Sequence, residues 1–424
     1  MKTKIFILFI FAASFLQAQV EYSKYFTEKA LRFDYFHSGN NNSESYGFDE
    51  MIEEEMWNGS KINLLDNLNF GTSLIKVFDA KTNTLIFSRG YCTLFGEWQT
   101  TDEAKKTFKT YTESMTIPFP KDSFRVEILT RDKKNNFVKQ FEYSSSPNNY
   151  FIKKEHKQTF NNFKVHYSGN PNQKLDLVFI AEGYTKDEMD SFKKDCETFA
   201  NALFKYAPFT NLKDKINIWG VESFSKESGT DIPGKNIWKN TVVNSSFYTF
   251  DSERYLMTGD YKSVCNVADN APHEQIVIIV NTDKYGGGGI YNYYLTIAGK
   301  NKNAEKIFVH EFGHALAGLG DEYYTSDVAY EDFYPLDVEP WEANLTTLVN
   351  FESKWKNLMD PSVPVPTPND PKYKNGLGVF EGGGYKAKGV YRPSFDSIMI
   401  TLAAETFNLP SEMALKKVVE FYSK

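Results

Sequence analysis

Residues 309–325 read VHEFGHALAGLGDEYYT and place His310 and His314 four positions apart, with Glu311 beside the first histidine. That spacing is close to one helical turn, so both imidazoles leave the same helix face and can share one Zn²⁺. Glu311 is placed to take the proton of a zinc-activated water as it attacks a carbonyl. The preceding AEKIFV supplies the apolar helix that such a pair needs. Metal-assisted hydrolysis at a carbonyl is the chemistry this pattern serves.

A catalytic zinc site takes three protein ligands and keeps one position open. Asp321 follows His314 by seven residues. On an unbroken helix it would face the same way but lie about 10 Å further along the axis. A zinc ligand must come within about 2 Å, so the chain has to leave the helix and fold back. Gly318 and Gly320 suit that reversal, because glycine takes the left-handed helix-ending conformation without steric cost. A ligand just past a glycine turn is the logic of the metzincin peptidases. Glu322 also follows the turn, and Glu331, Glu339 and Glu342 are more distant candidates of the thermolysin kind. Asp321 is favoured as the earliest residue that can turn back. Glu322 is expected to point away and make a salt bridge or a cap.

The elements that must carry this helix are legible as two regimes. SLIKVFDAKTNTLIFS and FRVEILTRDKKNNFVKQFEYS each alternate apolar and polar residues around a polar turn, which predicts half-buried antiparallel strands. With LRFDYFHS and ESMTIPF they predict an all-β, sandwich-like N-terminal domain over residues 19–150, ending in a polar linker at 144–150. No chemistry-bearing residue stands out in it, and the domain is expected to be separable. Residues 151–424 are expected to form an α/β catalytic domain with a largely parallel sheet. LDLVFIAEGY, INIWGVESF and EQIVIIVNT read as buried strands. Thr185 and Glu188 form a capping box. Met189, Phe192, Cys196, Phe199, Leu203 and Tyr206 then follow at helical spacing. GIYNYYLTIAG is the candidate edge strand along which an extended peptide could pair. The glycines of residues 286–289 do not follow phosphate-loop spacing.

The chain has 424 residues, 41% hydrophobic and 24% charged, with a net charge of −7. This fits a folded protein with no basic block, and excludes nucleic acid as an expected partner. Residues 1–18 have Lys2 and Lys4, a short apolar run and Ala18 at a cleavage position, the layout of a signal peptide. Export to the periplasm or the exterior is expected, without a lipid anchor and without a membrane span. Three cysteines, Cys92, Cys196 and Cys265, are too few for a disulfide framework, although one Cys92–Cys265 bridge is open.

HEFGHALAGLGDEY closely resembles the signature of the IgA-peptidase family of bacterial zinc metallopeptidases, which are metzincin-like. LDLVFIAEGYTKDEMDSFKKDCETFANALFKYAPF, NIWGVESFSKESGTDIP and FEGGGYKAKGVYRPSFDSIM also look like family segments, and the N-terminal part resembles the domain that often precedes the catalytic one. The resemblance implies a zinc endopeptidase with His310, His314 and Asp321 as ligands and Glu311 as base. It also implies that Met399 forms the methionine turn beneath the metal. This chain has Ala317 where metzincins carry their glycine, and its ligand position is one later and an aspartate. Tyr385 and Tyr391, in the glycine-rich approach to Met399, are candidates for stabilising an oxyanion. The immunoglobulin substrate in the family's name is not carried over. The competing expectation is a carbohydrate- or surface-binding protein with a vestigial peptidase fold.

Overall fold

The computed structural model describes residues 19–154, 159–324 and 334–424. The expected signal segment and the candidate Glu331 lie outside them. The N-terminal part runs α1 (Tyr22–Tyr25), β1 (Phe26–Gly39), β2 (Glu44–Glu54), β3 (Ser73–Asp79), β4 (Leu85–Tyr91), α2 (Leu94–Trp98), β5 (Lys109–Pro120), β6 (Phe124–Arg131) and β7 (Phe137–Ser145). Its strands make two antiparallel sheets, β2-β1-β5 and β4-β3-β6-β7. Alternation decides the faces: Ile75 and Val77 of β3 turn inward while Lys76 between them stays half-exposed. Phe33, Tyr35, Ile117, Phe87 and Val126 join them in one core between the sheets, which is the packing of a sandwich.

The remainder runs β8 (Asn162–His166), β9 (Leu175–Glu182), α3 (Met189–Leu203), β10 (Ile216–Val221), α4 (Tyr261–Ala268), β11 (Gln275–Val280), β12 (Gly287–Ile290), β13 (Tyr294–Ala298), α5 (Ala304–Ala317), β14 (Phe380–Gly383), β15 (Lys386–Arg392) and α6 (Leu409–Tyr422). Six strands form a mixed sheet in the order β12-β13-β11-β9-β10-β8. β13, β11, β9 and β10 are parallel; β12 and β8 run antiparallel at the edges. β9 and β11 are continuous apolar runs because both faces are covered. Leu177 and Phe179 pack beneath α3, α5 and α6, while Val178 and Ile180 pack on the side of α4. The predicted stripe of α3 is buried, with Phe199 against Phe308 of α5. At its start Glu188 accepts the Thr185 backbone N–H at 2.8 Å.

Three expectations change. The edge strand is the glycine run itself, β12. A turn at Tyr291–Tyr293 sends the chain back as β13, which is paired on both sides. All three cysteines are free thiols, and the Cys92 sulfur accepts the Thr72 backbone N–H at 3.3 Å. The N-terminal part is also not separable in its packing. Leu68 and Phe70 belong to the core beneath the mixed sheet, and Leu94 belongs to the core on the other face. The Cys92 N–H donates to Tyr291 O at 2.9 Å, and buried Arg32 reaches both Asp34 and Asn266. Conversely, Ile152 packs in the sandwich core. Polar linker composition at 144–150 carries no record of these contacts, because, Ile152 aside, they come from residues far from it in sequence on either side.

Candidate metal centre

α5 buries Ile307, Phe308, Phe312 and Leu316, which turns His310, Glu311 and His314 toward a cleft. The helix ends at Gly318 with φ 58°. There the Gly318 N–H bonds His314 O at 2.9 Å and the Leu319 N–H bonds Gly313 O at 3.3 Å. Glycine is required twice over at 318, since a Cβ would also stand 2.4 Å from the Trp341 ring. Asn344 then clamps Gly320, accepting its N–H and donating to its carbonyl, each at 2.8 Å. Gly384 N–H holds the Asp321 carbonyl at 2.7 Å. The fold-back that the spacing demanded is thus built by Gly318, Asn344 and the β14–β15 hairpin.

The turn brings Asp321 onto the histidines. His310 Nε2 and His314 Nε2 are 3.1 Å apart, and Asp321 Oδ1 is 3.2 Å from the first and 3.4 Å from the second. Ligand atoms around a tetrahedral ion at about 2 Å stand roughly 3.3 Å apart. The three residues therefore fit zinc in number, type and spacing, and they form the one such cluster among the described residues. Asp321 Oδ1 is buried without a hydrogen-bond partner, a costly state for a carboxylate oxygen unless a cation satisfies it. Each imidazole is oriented from behind. His310 Nδ1 donates to Ile398 O at 2.8 Å, and His314 Nδ1 donates to Leu319 O. Both Nε2 lone pairs are left facing the centre.

The electrostatics favour positive charge at this point. Burial opposes an imidazolium at His314, but Asp321 outweighs it and the pKa is pushed up to about 9. Burial likewise works against the Asp321 carboxylate, yet the two imidazoles hold it far below the usual range. A proton or a metal ion would neutralise the cluster. Glu311 opens to the cleft, its carboxyl pushed up by burial while His310 and His314 pull it down. The glycine run explains how an edge strand can lie against it. A Cβ on Gly289 would stand 2.3 Å from Glu311 O, and one on Gly287 would stand 3.6 Å from Glu311 Cγ.

Met399 is fully buried and its sulfur sits 3.0 Å from where a Cβ of Gly313 would lie. It therefore packs under α5 between the two histidines. Glu322 is buried too, but off the metal cluster. It accepts from Asn344 Nδ2 at 2.8 Å, Asn408 Nδ2 at 2.6 Å and Ser397 Oγ at 2.7 Å, while its own N–H bonds Met399 O at 2.9 Å. This is a hydrogen-bonded hub rather than the expected salt bridge or cap. Glu339 and Glu342 are also outside the cluster, engaged by Asn350 N–H and by the Tyr334 hydroxyl. The Tyr385 hydroxyl donates to Asp321 Oδ2 and lines the same cleft, so it touches a candidate ligand. Tyr391 is not brought in: it packs on the cluster of Phe351, Trp355 and Val379.

The cleft has a volume of about 2790 Å³, well beyond the roughly 300–1,000 Å³ of a small-molecule pocket. Both parts of the chain wall it, Cys92 and Glu97 from one side and Tyr255, Tyr285 and Glu311 from the other. Tyr255 donates its hydroxyl to Glu97, whose carboxyl is pushed up to about 7 by burial. Sequence reasoning missed Glu97, Asn344, Ser397 and Asn408, which carry no spacing signal because each comes from a different loop or short helix.

The chain thus sets a two-histidine helix against the edge strand of a mixed sheet, behind a β-rich N-terminal part. The IgA Peptidase M64 profile matches residues 163–375 and 369–419, and the Peptidase M64 N-terminus profile matches residues 21–142. The chain belongs to the IgA peptidase M64 family and is a peptidase with that family's N-terminal domain. None of the curated proteins compared matches it.

Proposed function

We propose that this chain is a zinc-dependent endopeptidase of metzincin-like design, with His310, His314 and Asp321 as metal ligands and Glu311 as general base. The observation that carries the reading is the triangle of His310 Nε2, His314 Nε2 and Asp321 Oδ1, with sides of 3.1–3.4 Å. Zinc bound there would supply Lewis acidity to water and to the scissile carbonyl. Glu311 would take the proton of the attacking water and pass it to the leaving amine. Ile398 O and Leu319 O keep both histidines in the tautomer that presents Nε2. Met399 shapes the floor under the helix, as a methionine turn does. β12 offers an edge for an extended peptide, and the cleft is large enough to hold one. An N-terminal stretch with the layout of a signal peptide supports export to the periplasm or exterior. No helix among the described residues is long and apolar enough to cross a membrane.

The test is Glu311→Gln, assayed on a mixed peptide library beside the wild-type enzyme with metal analysis of both. The variant should keep one zinc and lose at least about two orders of magnitude in turnover. Wild-type hydrolysis should stop with a chelator and return with Zn²⁺. An active Glu311→Gln enzyme would remove the glutamate from the mechanism.

A further inference from the structure

Arg254 stands on the cleft wall, exposed, directly before Tyr255. Its placement is fixed by the edge strand. Its backbone carbonyl lies 2.6 Å from where a Cβ of Gly286 would be, and Tyr255 bridges to Gly287. Gly287 in turn is the residue that packs against the Glu311 side chain. The guanidinium therefore hangs from backbone seated one step from the proposed base. Among the described residues it has no hydrogen-bonded or ion-paired partner. The neighbouring cleft cations are committed differently. Arg131 donates to the backbone carbonyls of Gly71, Asn69 and Asn135, and Lys284 pairs with Glu253 at 2.9 Å. Tyr285, 42% exposed, shares this wall. Burial pushes its phenol up and the Arg254 charge pulls it down, so the two side chains are within electrostatic reach of each other.

A planar fork of donors without an acceptor among the described residues, beside a half-exposed ring, suits one ligand chemistry. Guanidinium pairs bidentately with carboxylate, and the aromatic face takes the aliphatic stem that carries it. We propose that Arg254 is a specificity-determining residue that binds a carboxylate of the substrate next to the scissile bond, with Tyr285 packing on its stem. This deepens the reading of the cleft as a peptidase site and rests on it. The carboxylate can come from an Asp or Glu side chain or from the peptide C-terminus, and the cleft volume favours the side chain.

The experiment uses the full zinc-loaded enzyme and internally quenched peptides in which Glu, its isostere Gln, or Lys is walked through the positions flanking the cleaved bond. Each peptide is made with a free and an amidated C-terminus. Wild type should prefer Glu over Gln at one position by at least about tenfold in kcat/KM, the size of one charge-assisted contact. Arg254→Gln should bring that ratio near one while still cleaving the neutral peptides. Arg254→Lys should keep part of the preference, and Arg254→Glu should shift it to Lys. A preference for the free C-terminus that disappears in Arg254→Gln supports the same contact with the other carboxylate. The proposal is overturned if wild type shows no carboxylate preference, if the preference survives Arg254→Gln, or if the variant loses kcat equally on every peptide. Glu311→Gln separates the two failures. Should it stay active, the site reading falls. Should it be dead while the Glu-to-Gln ratio ignores Arg254, only this assignment falls.

Discussion

The Tyr255 hydroxyl donates to the Glu97 carboxylate, joining a loop of the peptidase part to α2 of the N-terminal part at the wall of the cleft. A second path between the parts reaches the metal centre. Phe70 packs on Trp341 with ring centroids 6.4 Å apart, and Trp341 closes over Gly318, the residue that ends the ligand helix. A chain starting near Phe151 should therefore be insoluble or melt well below the full protein, with reduced metal content. Phe70→Ala alone should cost about 3–5 kcal/mol. Thermal melting and zinc stoichiometry check both, and a soluble zinc-loaded fragment would show that the shared cores are dispensable.

Asp321 and Glu322 are neighbours with opposite expected phenotypes. Asp321→Ala should lose most bound metal, because it removes the third corner of the triangle with His310 Nε2 and His314 Nε2. Glu322→Ala should keep the metal but remove the acceptor of one hydrogen bond each from Asn344, Asn408 and Ser397, a loss of about 3 kcal/mol or more. Metal analysis at a temperature below both transitions, beside denaturant unfolding, distinguishes them. Metal loss confined to the Glu322 variant would reverse the assignment.

Tyr385→Phe removes the hydroxyl that donates to Asp321 Oδ2. If this bond aims the ligand, zinc affinity should fall by about 10–100-fold. Activity should largely return when zinc is raised to saturation. A loss of kcat that persists at saturating zinc would instead give the phenol a direct part in the reaction.

The cluster was legible in sequence because metal geometry is unforgiving. Helical rise alone forbade Asp321 on a continuous helix, and Gly318 and Gly320 supplied a cheap way to turn. The buried strands β9 and β11 were legible for a similar reason, since a run such as VFIA or IVIIV has no polar face to expose. Tyr385 was noticed for its phenol, but its partner could not be read, because its bond to Asp321 depends on hairpin geometry set 64 residues away. The position of β12 was misread because four glycines carry no alternation. They mark an edge strand only through what their missing Cβ atoms would hit.

His37 is buried between two carboxylates, with Nδ1 3.1 Å from Glu113 and Nε2 3.1 Å from Glu44. Burial opposes its charge, but Glu113 and Glu44 outweigh burial and raise its pKa above the ordinary 6.5. Glu44 is lowered below its ordinary 4.5: burial opposes this, and His37 and Thr130 outweigh burial. A raised histidine stabilises fully below its unfolded value and loses that contribution as pH climbs through the folded value. A lowered glutamate stabilises above its unfolded value and loses it in acid. The pair should thus stabilise most between about pH 4.5 and 6.5, with a decline toward alkaline pH. His37→Gln should cost about 2 kcal/mol near the acid end of that window and flatten the alkaline decline. Melting temperatures across pH for both proteins check it, and parallel curves would show that His37 does not titrate in that range.

The cleft is walled by two lobes that also share hydrophobic cores. Occupancy of the cleft and cohesion of the lobes are then the same equilibrium seen from two ends. A peptide that touches both walls binds the docked arrangement and not the parted one, so it adds its own mass-action term to the docking free energy. The β1–β7 lobe should consequently resist hydrogen exchange more strongly when a non-cleaved peptide fills the cleft, even in strands that never meet it.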